Sequence, residues 1–211
     1  MDDEMVDLVS EVIPGELYLG TRYGAEYNAI LRQYSIQSVL SLVIGEIEIP
    51  TFIKQKLQIS IEDSSYENIE KHFEGCITFI EQNPKPVLVH CEMGVSRSAS
   101  IVIAYLMKTQ KKTLKESYDF VKAKRTWINP NNGFWCQLYH FAKSLNLLDD
   151  DSVKFLYSKF GEKGKKAFGS PSLQKDKEKE EKKETTLDEM KTFLQKFDKA
   201  GFLWGKFFIS Y

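Results

Sequence analysis

The sequence predicts an α/β domain with a central, mostly parallel sheet of four to five strands flanked by helices. Two observations carry this prediction. Short apolar or β-rich segments alternate along the chain with amphipathic segments of helical period, and turns or polar loops separate them. The chain has 211 residues, 42% of them hydrophobic, which is enough apolar material to bury a core of ordinary size.

Four segments are predicted to be strands and five to be helices. The strands are 12–20, an edge strand entered through the Pro14-Gly15 turn, followed by 36–43, 57–61 and 87–90. The helices are 25–34, 69–80, 98–108, 114–124 and 134–145. Helix 98–108 is apolar nearly all round, which indicates burial, and Thr113 is a candidate cap for the helix that follows it.

Composition divides the chain into three regions. A folded domain is predicted over 8–148, a charged linker over 149–185 and an amphipathic, aromatic C-terminal segment over 186–211. The apolar stripe of the last region should not stay exposed. We expect it to dock on the domain or to bind a partner, and a membrane surface is the third alternative.

Charge and cysteine content exclude several classes of function. A formal net charge of -1 gives no basic field and argues against nucleic acid as a partner. Three cysteines at no metal-ligand spacing predict neither a zinc site nor a disulfide framework. The sequence shows no secretory signal and no membrane span, so a cytoplasmic location is expected, with the nucleus as a second one.

Residues 90–98, with the sequence HCEMGVSRS, join a predicted apolar strand to a predicted buried helix. Such a loop directs its backbone N–H groups inward at a helix N-terminus, an arrangement that binds a tetrahedral dianion. Helix N-termini and nearby cations favour the thiolate, so Cys91 is predicted to be a nucleophile. Gly94 lets the backbone turn, and Arg97 can grip two phosphoryl oxygens with its planar guanidinium.

Further residues are predicted to assist this loop. Ser98 is either a hydrogen-bond donor to the Cys91 sulfur or a helix cap. His90 orders the loop through its ring hydrogen bonds, or is an ordinary buried histidine. Asp63, at the end of a predicted strand, is the first candidate for the general acid that protonates the leaving group, and Glu62 is the second.

The segment HCEMGVSRS, with Asp63 upstream, resembles the HCxxGxxR signature of protein tyrosine phosphatases, and more closely their dual-specificity subfamily. The runs AYLM at 104–107 and INPN at 128–131, with Gly133, Phe134, Gln137 and Leu138, are similar to landmarks of that subfamily. The resemblance covers about 12–148, and the chain looks like a small, atypical member. It implies a dual-specificity phosphatase fold.

The same resemblance implies roles for the site residues. Cys91 is the nucleophile, Arg97 the phosphate ligand and Asp63 the general acid, and Asn131 and His90 support them. The backbone amides of Glu92, Met93, Gly94, Val95, Ser96 and Arg97 form the phosphate cradle. The implied reaction is a two-step hydrolysis without metal or cofactor, through phosphocysteine, of phosphotyrosine and phosphoserine or phosphothreonine. Phosphorylated proteins, kinases among them, are the expected partners.

Two other functions stay open. The same chemistry on an RNA 5'-phosphate or a phosphoinositide is disfavoured because residues 92–96 include no lysine or arginine. A phosphoprotein-binding module without catalysis is disfavoured because Cys91, Arg97 and Asp63 are all present.

Five other residues have less specific predictions. Arg125 is expected either to contact a second phosphate or acidic groups of the substrate, or to be a solvated helix end. Cys76 and Cys136 are expected to be small core hydrophobes, the alternative being a disulfide with oxidised Cys91. His72 and His140 are expected to be ordinary surface or boundary residues.

Overall fold

The computed structural model describes residues 8–168 and contains one five-stranded sheet in the order β1-β2-β5-β3-β4. The strands are β1 (Val9–Ile13), β2 (Leu17–Gly20), β3 (Ser38–Leu42), β4 (Gln55–Ile59) and β5 (Val87–His90). β1 is antiparallel to β2, and the other neighbours are parallel. The predicted α/β class with a mostly parallel sheet of four to five strands is confirmed.

Helices cover both faces of this sheet. They are α1 (Arg22–Glu26), α2 (Asn28–Gln33), α3 (Phe73–Gln82), α4 (Arg97–Gln110), α5 (Leu114–Lys124), α6 (Asn132–Ser144) and α7 (Asp150–Phe168), with a 3₁₀ turn, Glu70–His72, before α3. α1 and α2 pack on one face and the remaining helices on the other. Because both faces are covered, β5 is a continuous apolar run: Val87 and Val89 belong to one core cluster and Leu88 to the other.

The helix predicted to be buried forms the centre of the larger cluster. Residues 97–107 of α4 are all buried, and α4 packs against α3, α5 and α6. The predicted cap of α5 is confirmed, since Thr113 and Glu116 form a reciprocal capping box.

Two predicted elements are wrong in their bounds. Segment 12–20 is not one edge strand but a hairpin of β1 and β2, and β2 lies inside the sheet between β1 and β5. The turn is closed by Gly15, whose φ is +67° and whose N–H donates to the Glu11 carboxylate. Helix 25–34 is two short helices, because the backbone is extended at Tyr27.

The packed domain continues past residue 148, where the sequence analysis began the charged linker. α7 buries Val153, Leu156 and Phe160, whose helical spacing places them on one face. The helix is interrupted at Gly161, where φ is +64°. The rest of the linker, 169–185, and the C-terminal segment 186–211 lie outside the described residues. Within 8–168, every helix is too short or too polar to cross a membrane.

Strand register positions the site. Gly20, Ser41 and His90 are paired at the carboxyl ends of three adjacent parallel strands, β2, β3 and β5. In sheets of this kind, functional groups collect at that edge, and the HCEMGVSRS segment begins there.

Candidate active site

Residues 91–96 connect β5 to α4, and we call them the phosphate loop. Cys91 is 1% exposed at its start. Its sulfur accepts hydrogen bonds from the Gly94 amide and from the Ser98 hydroxyl, both at 3.2 Å. Two donors on one sulfur stabilise a thiolate. Ser98 is the second residue of α4 and Ser96 the residue that precedes the helix, so the structure matches the donor role of Ser98 and not the capping role.

Every carbonyl of the phosphate loop accepts a hydrogen bond from outside it. From Cys91 to Ser96 the donors are, in order, His90 Nδ1 (3.1 Å), the Arg22 amide (3.0 Å), Arg125 Nη2 (3.0 Å), Arg125 Nε (2.9 Å), the Asn129 amide (2.8 Å) and the Ser100 amide (2.9 Å). Because N–H and C=O point in opposite directions across a peptide plane, carbonyls held outward turn the amides inward. The loop is therefore an anion cradle that the surrounding fold holds in shape.

Arg125 is the main support of this loop. It is 2% exposed, so the prediction of a solvated helix end is wrong. Its guanidinium binds the Met93 and Gly94 carbonyls and, through Nη1, the Ser10 hydroxyl at 3.1 Å. The Arg125 guanidinium therefore holds the phosphate loop. A contact with the substrate was the other prediction for this residue.

Gly94 is required where this support meets the sheet. Its φ is +66°, a conformation that side chains with a Cβ rarely adopt. A Cβ at this position would lie 2.6 Å from the Gly20 carbonyl oxygen and 2.9 Å from Arg125 Nη2. Glycine is thus needed for both the turn and the close approach.

Arg97 follows the phosphate loop as the first residue of α4 and is 8% exposed. Its Nη1 donates to the Ile61 carbonyl at 3.0 Å, which fixes the guanidinium plane. Its Nε is buried and has no hydrogen-bond partner within residues 8–168. This buried N–H belongs to a planar, positively charged guanidinium beside the cradle. It can therefore donate a hydrogen bond to a bound oxyanion.

His90 is a neutral structural residue. Burial, aided by the charges of Arg22 and Arg97, lowers its pKa to about 4. Since the Cys91 carbonyl can only accept, Nδ1 carries the proton, and Nε2 accepts from the Ser41 hydroxyl at 2.7 Å. The predicted ordering of the loop through the ring's hydrogen bonds matches this geometry.

Asp63 lies on the loop after β4, at the edge of the cradle. Its Oδ1 accepts hydrogen bonds from the Ser96 hydroxyl at 2.7 Å and from Asn131 Nδ2 at 2.8 Å. Asn131 also donates its amide to Ser96 Oγ and caps α6 by accepting from the Phe134 amide. The carboxyl group is exposed, and it is joined to the phosphate loop by side chains that the sequence analysis placed in the site. Glu62 is exposed too, without a contact of this kind in the described part of the chain.

Asp63 lies in residues 60–68, which we call the acid loop. Two of the landmark residues, Gln137 and Gly133, hold this loop in place. Gln137 donates to the Glu67 carbonyl at 2.8 Å and accepts from the Glu70 amide at 2.9 Å. At Gly133 a Cβ would lie 2.2 Å from the Ser65 carbonyl oxygen, so only glycine lets the acid loop approach α6.

The remaining cysteines and histidines lie in ordinary environments. Cys76 and Cys136 are free and buried in the core, and burial raises the pKa of each to about 12. Their prediction as core hydrophobes is confirmed, and a disulfide with Cys91 stays a prediction. His72 and His140 are partly buried, as expected of boundary residues.

Sequence reasoning missed four supports of the site: the Ser41 hydroxyl, the Ile61 carbonyl and the amides of Arg22 and Asn129. Each contributes through strand register or backbone position. The only signals for them in the sequence are that Ser41 lies near the end of the predicted strand 36–43, that Ile61 ends the predicted strand 57–61 and that Asn129 lies in INPN.

Comparisons with known proteins find one family of phosphatases. The family model for the dual specificity phosphatase catalytic domain matches residues 17–144. MAP kinase phosphatase with leucine-rich repeats protein 3 from Dictyostelium discoideum is 41% identical over 146 residues, which are 67% of this chain and 17% of that protein. A putative tyrosine phosphatase, 123R, of Invertebrate iridescent virus 6 is 33% identical over 68% of this chain and 95% of its own length. The chain spans well under half of the first curated relatives it matches.

Solved structures show the same similarity. The crystal structure of DUSP15 is 31% identical, covers 66% of this chain and 96% of its own, and has a TM-score of 0.60. A human tyrosine phosphatase-like serine/threonine/tyrosine-interacting protein is 30% identical, covers 67% and 99%, and has a TM-score of 0.59.

Proposed function

The chain belongs to the dual specificity phosphatase family, and we propose that it hydrolyses phosphotyrosine and phosphoserine or phosphothreonine in proteins through a phosphocysteine at Cys91. One observation carries the proposal. The Cys91 sulfur, with two hydrogen-bond donors, lies at the base of a loop whose six carbonyls are all held outward, with the Arg97 guanidinium beside it. That arrangement binds a phosphoryl group and presents a nucleophile to its phosphorus.

In the first step, the Cys91 thiolate attacks phosphorus, a P–S bond forms and the P–O bond to the serine, threonine or tyrosine oxygen breaks. The electron pair of that bond goes to the leaving oxygen, which takes a proton from the Asp63 carboxyl group. Inward amides and Arg97 stabilise the charge on the equatorial oxygens.

In the second step, water attacks phosphorus and gives a proton to the Asp63 carboxylate, and the P–S bond breaks to release inorganic phosphate. The departing sulfur recovers its negative charge. The Ser98 hydroxyl, 3.2 Å from it, donates a hydrogen bond that stabilises the thiolate as it leaves.

The test is phosphate release from phosphotyrosyl and phosphothreonyl peptides in EDTA across a pH series. We expect the wild type to turn over both peptides and Cys91→Ser neither. Cys76→Ala is the matched control, because this cysteine is buried in the core and should leave turnover intact once folding is verified by circular dichroism. Turnover that EDTA abolishes, or that survives in Cys91→Ser, would refute the mechanism.

The second candidate is a phosphoprotein-binding module. It is favoured by the similarity to the structure described as a tyrosine phosphatase-like serine/threonine/tyrosine-interacting protein. Tight phosphopeptide binding by the wild type with no turnover of any substrate would favour this function over catalysis. We also propose a cytoplasmic location and the binding of a partner by residues 186–211. A tagged 211-residue chain and its truncation after residue 185 would test both.

A further inference from the structure

The large apolar side chains that the described residues expose are all found around the site. There are six of them, Tyr23, Tyr27, Ile44, Tyr66, Met93 and Trp127, and we call them the apolar rim. Met93 is 65% exposed and Tyr23 60%. Single exposed apolar residues are ordinary, whereas a group of them in one region marks a binding surface. The first five follow the carboxyl ends of β2, β3, β4 and β5, and Trp127 precedes the site residue Asn131. The edge that holds Cys91 is therefore also the apolar edge.

Contacts join the segments of the rim to the phosphate loop. The Arg22 amide, beside Tyr23, donates to the Glu92 carbonyl at 3.0 Å, and the Arg22 side chain reaches the Glu46 carbonyl, two residues from Ile44. Tyr23 stacks on Tyr27 with ring centroids 5.6 Å apart.

The opposite side of the phosphate loop is joined in the same way. The Trp127 ring lies 5.1 Å from the Arg125 guanidinium that holds the Met93 carbonyl. Tyr66 lies in the acid loop, which Asp63 joins to Ser96 at 2.7 Å. The rim residues are thus close in sequence to Arg22, Arg125 and Asp63, the residues that contact the phosphate loop.

The charges of the same segments favour substrates without acidic neighbours. Segments 21–27, 43–49, 60–68, 91–97 and 125–131 contain no lysine and seven carboxylates: Glu26, Glu46, Glu48, Glu62, Asp63, Glu67 and Glu92. Their cations are three arginines. Arg97 and Arg125 are buried, and Arg22 is paired with Glu26 at 3.1 Å and with Glu92 at 3.7 Å. Lysines outside these segments donate to three of their oxygens: Lys56 to the Ile49 carbonyl, Lys122 to the Ile128 carbonyl and Lys159 to the Asn129 side chain.

We propose that the apolar rim selects the substrate, and that its occupant is a singly phosphorylated peptide with large apolar side chains next to the phosphorylated residue. The inference rests on the proposed function. A phosphopeptide is favoured because the rim is continuous with the cradle that takes the phosphate. Apolar contact improves binding, whereas a peptide carboxylate or a second phosphate would face the six carboxylates other than Asp63, the proton donor of the first step. Burial of one large apolar side chain contributes about tenfold or more in affinity.

The experiment measures hydrolysis, by the wild-type 211-residue chain, of three phosphotyrosyl peptides with leucine, alanine or glutamate on both sides of the phosphotyrosine. We expect kcat/KM to be about tenfold higher for the leucine peptide than for the alanine peptide, because its KM is lower. The glutamate peptide should have the lowest kcat/KM. A small aryl phosphate, too short to reach the rim, reports the chemistry alone. If the aryl phosphate is not turned over, the proposed function has failed, whereas equal values for leucine and alanine with normal aryl turnover refute only the rim.

Two variants sharpen the test. Tyr23→Ser combined with Ile44→Ser should keep aryl phosphate turnover and lose the leucine preference. Glu46→Lys with Glu48→Lys should raise kcat/KM for the glutamate peptide severalfold. Its matched control is Glu81→Lys, an exposed residue on α3 near the opposite edge of the sheet, which should change nothing.

Other occupants of the rim would give different results. The leucine and alanine peptides could have equal kcat/KM in the whole chain and different values only after residues 186–211 are removed. The chain's own C-terminal segment would then occupy the rim, and the proposal would be overturned. A dimer in size-exclusion chromatography that the Tyr23→Ser, Ile44→Ser variant dissociates would assign the rim to a second copy and overturn it equally.

Discussion

The phosphate loop and the acid loop approach each other at one site, but the fold holds them differently. Six outward carbonyl contacts, the buried Arg125 and the sheet hold the phosphate loop. Cys91 is buried within this loop, and Arg97, the residue that follows it, is buried as well. The acid loop is exposed or half-buried except at Ile61, and Asp63 is held by two side-chain hydrogen bonds, from Ser96 and Asn131. The buried cradle binds the charged phosphoryl group, which is the same in every substrate. The exposed carboxyl group of Asp63 can give its proton to leaving groups that differ between substrates.

This difference predicts that damage to the phosphate loop affects all substrates equally, whereas damage to the acid loop depends on the leaving group.

Arg97→Lys should lower kcat about 10³-fold on aryl, phosphotyrosyl and phosphothreonyl substrates alike, because a point charge cannot replace the planar donors of the transition state. Steady-state kinetics on the three substrates measures this. Arg32→Lys, an arginine stacked on Phe52 away from the site, is the control and should change nothing. A tenfold or smaller loss would contradict the assigned role of Arg97.

Asp63→Asn should lower kcat about 10²-fold on a phosphothreonyl peptide and much less on an aryl phosphate with an acidic leaving group. Asparagine keeps the oxygen that accepts from Ser96 and Asn131, so the loop should stay in place. Glu62→Gln, one residue earlier, is the matched control. Equal losses on both substrates, or a larger loss in Glu62→Gln, would show that Asp63 is not the acid.

Arg125→Gln should reduce turnover about tenfold on all substrates and lower the free energy of unfolding by about 3 kcal/mol, because the Met93 and Gly94 carbonyls lose their charged donors. Urea denaturation and the same three substrates measure the two effects. Loss of activity on only one substrate would mean that Arg125 contacts substrate instead of holding the loop.

The neutral His90 predicts a pH dependence of stability without a direct effect on turnover. Its pKa is about 4 in the folded protein and about 6.5 as the ordinary value, so the unfolded chain binds more protons between these limits. The stabilisation is complete above pH 6.5 and falls by about 3 kcal/mol as the pH drops towards 4. Urea unfolding at several pH values measures it, and a His90→Gln variant with an equally steep fall would contradict the assignment.

The same comparison explains what the sequence can predict. The HCEMGVSRS segment is local, so the cysteine, the arginine and the cradle follow from adjacent residues between a strand and a helix. Asp63 is 28 positions before Cys91 in the sequence, but it comes just after the predicted strand 57–61. Arg125 shows the limit: its alternatives were a substrate contact and a solvated end, since no local pattern shows which carbonyls a helix end will meet.

The domain boundary failed for a related reason. The start of the linker was inferred from the charge of the later residues, whereas the apolar face of Val153, Leu156 and Phe160 is short and discontinuous. This face is buried because α7 packs against α5 and α6. Phe155 of α7 contacts Tyr118 of α5 and Trp135 of α6. Such packing is a tertiary effect, and composition averaged along the chain does not show it.

The central claim is that Cys91 carries the phosphoryl group between the two steps. The most direct measurement is an acid quench of Ser98→Ala during turnover of a labelled aryl phosphate, followed by mass spectrometry of the peptide that contains residue 91. Because the Ser98 hydroxyl stabilises the leaving sulfur, its removal should slow the second step and let the intermediate accumulate. We predict one phosphoryl group on Cys91 and none in Cys91→Ser; turnover with the label on another residue, or on none, would contradict the account.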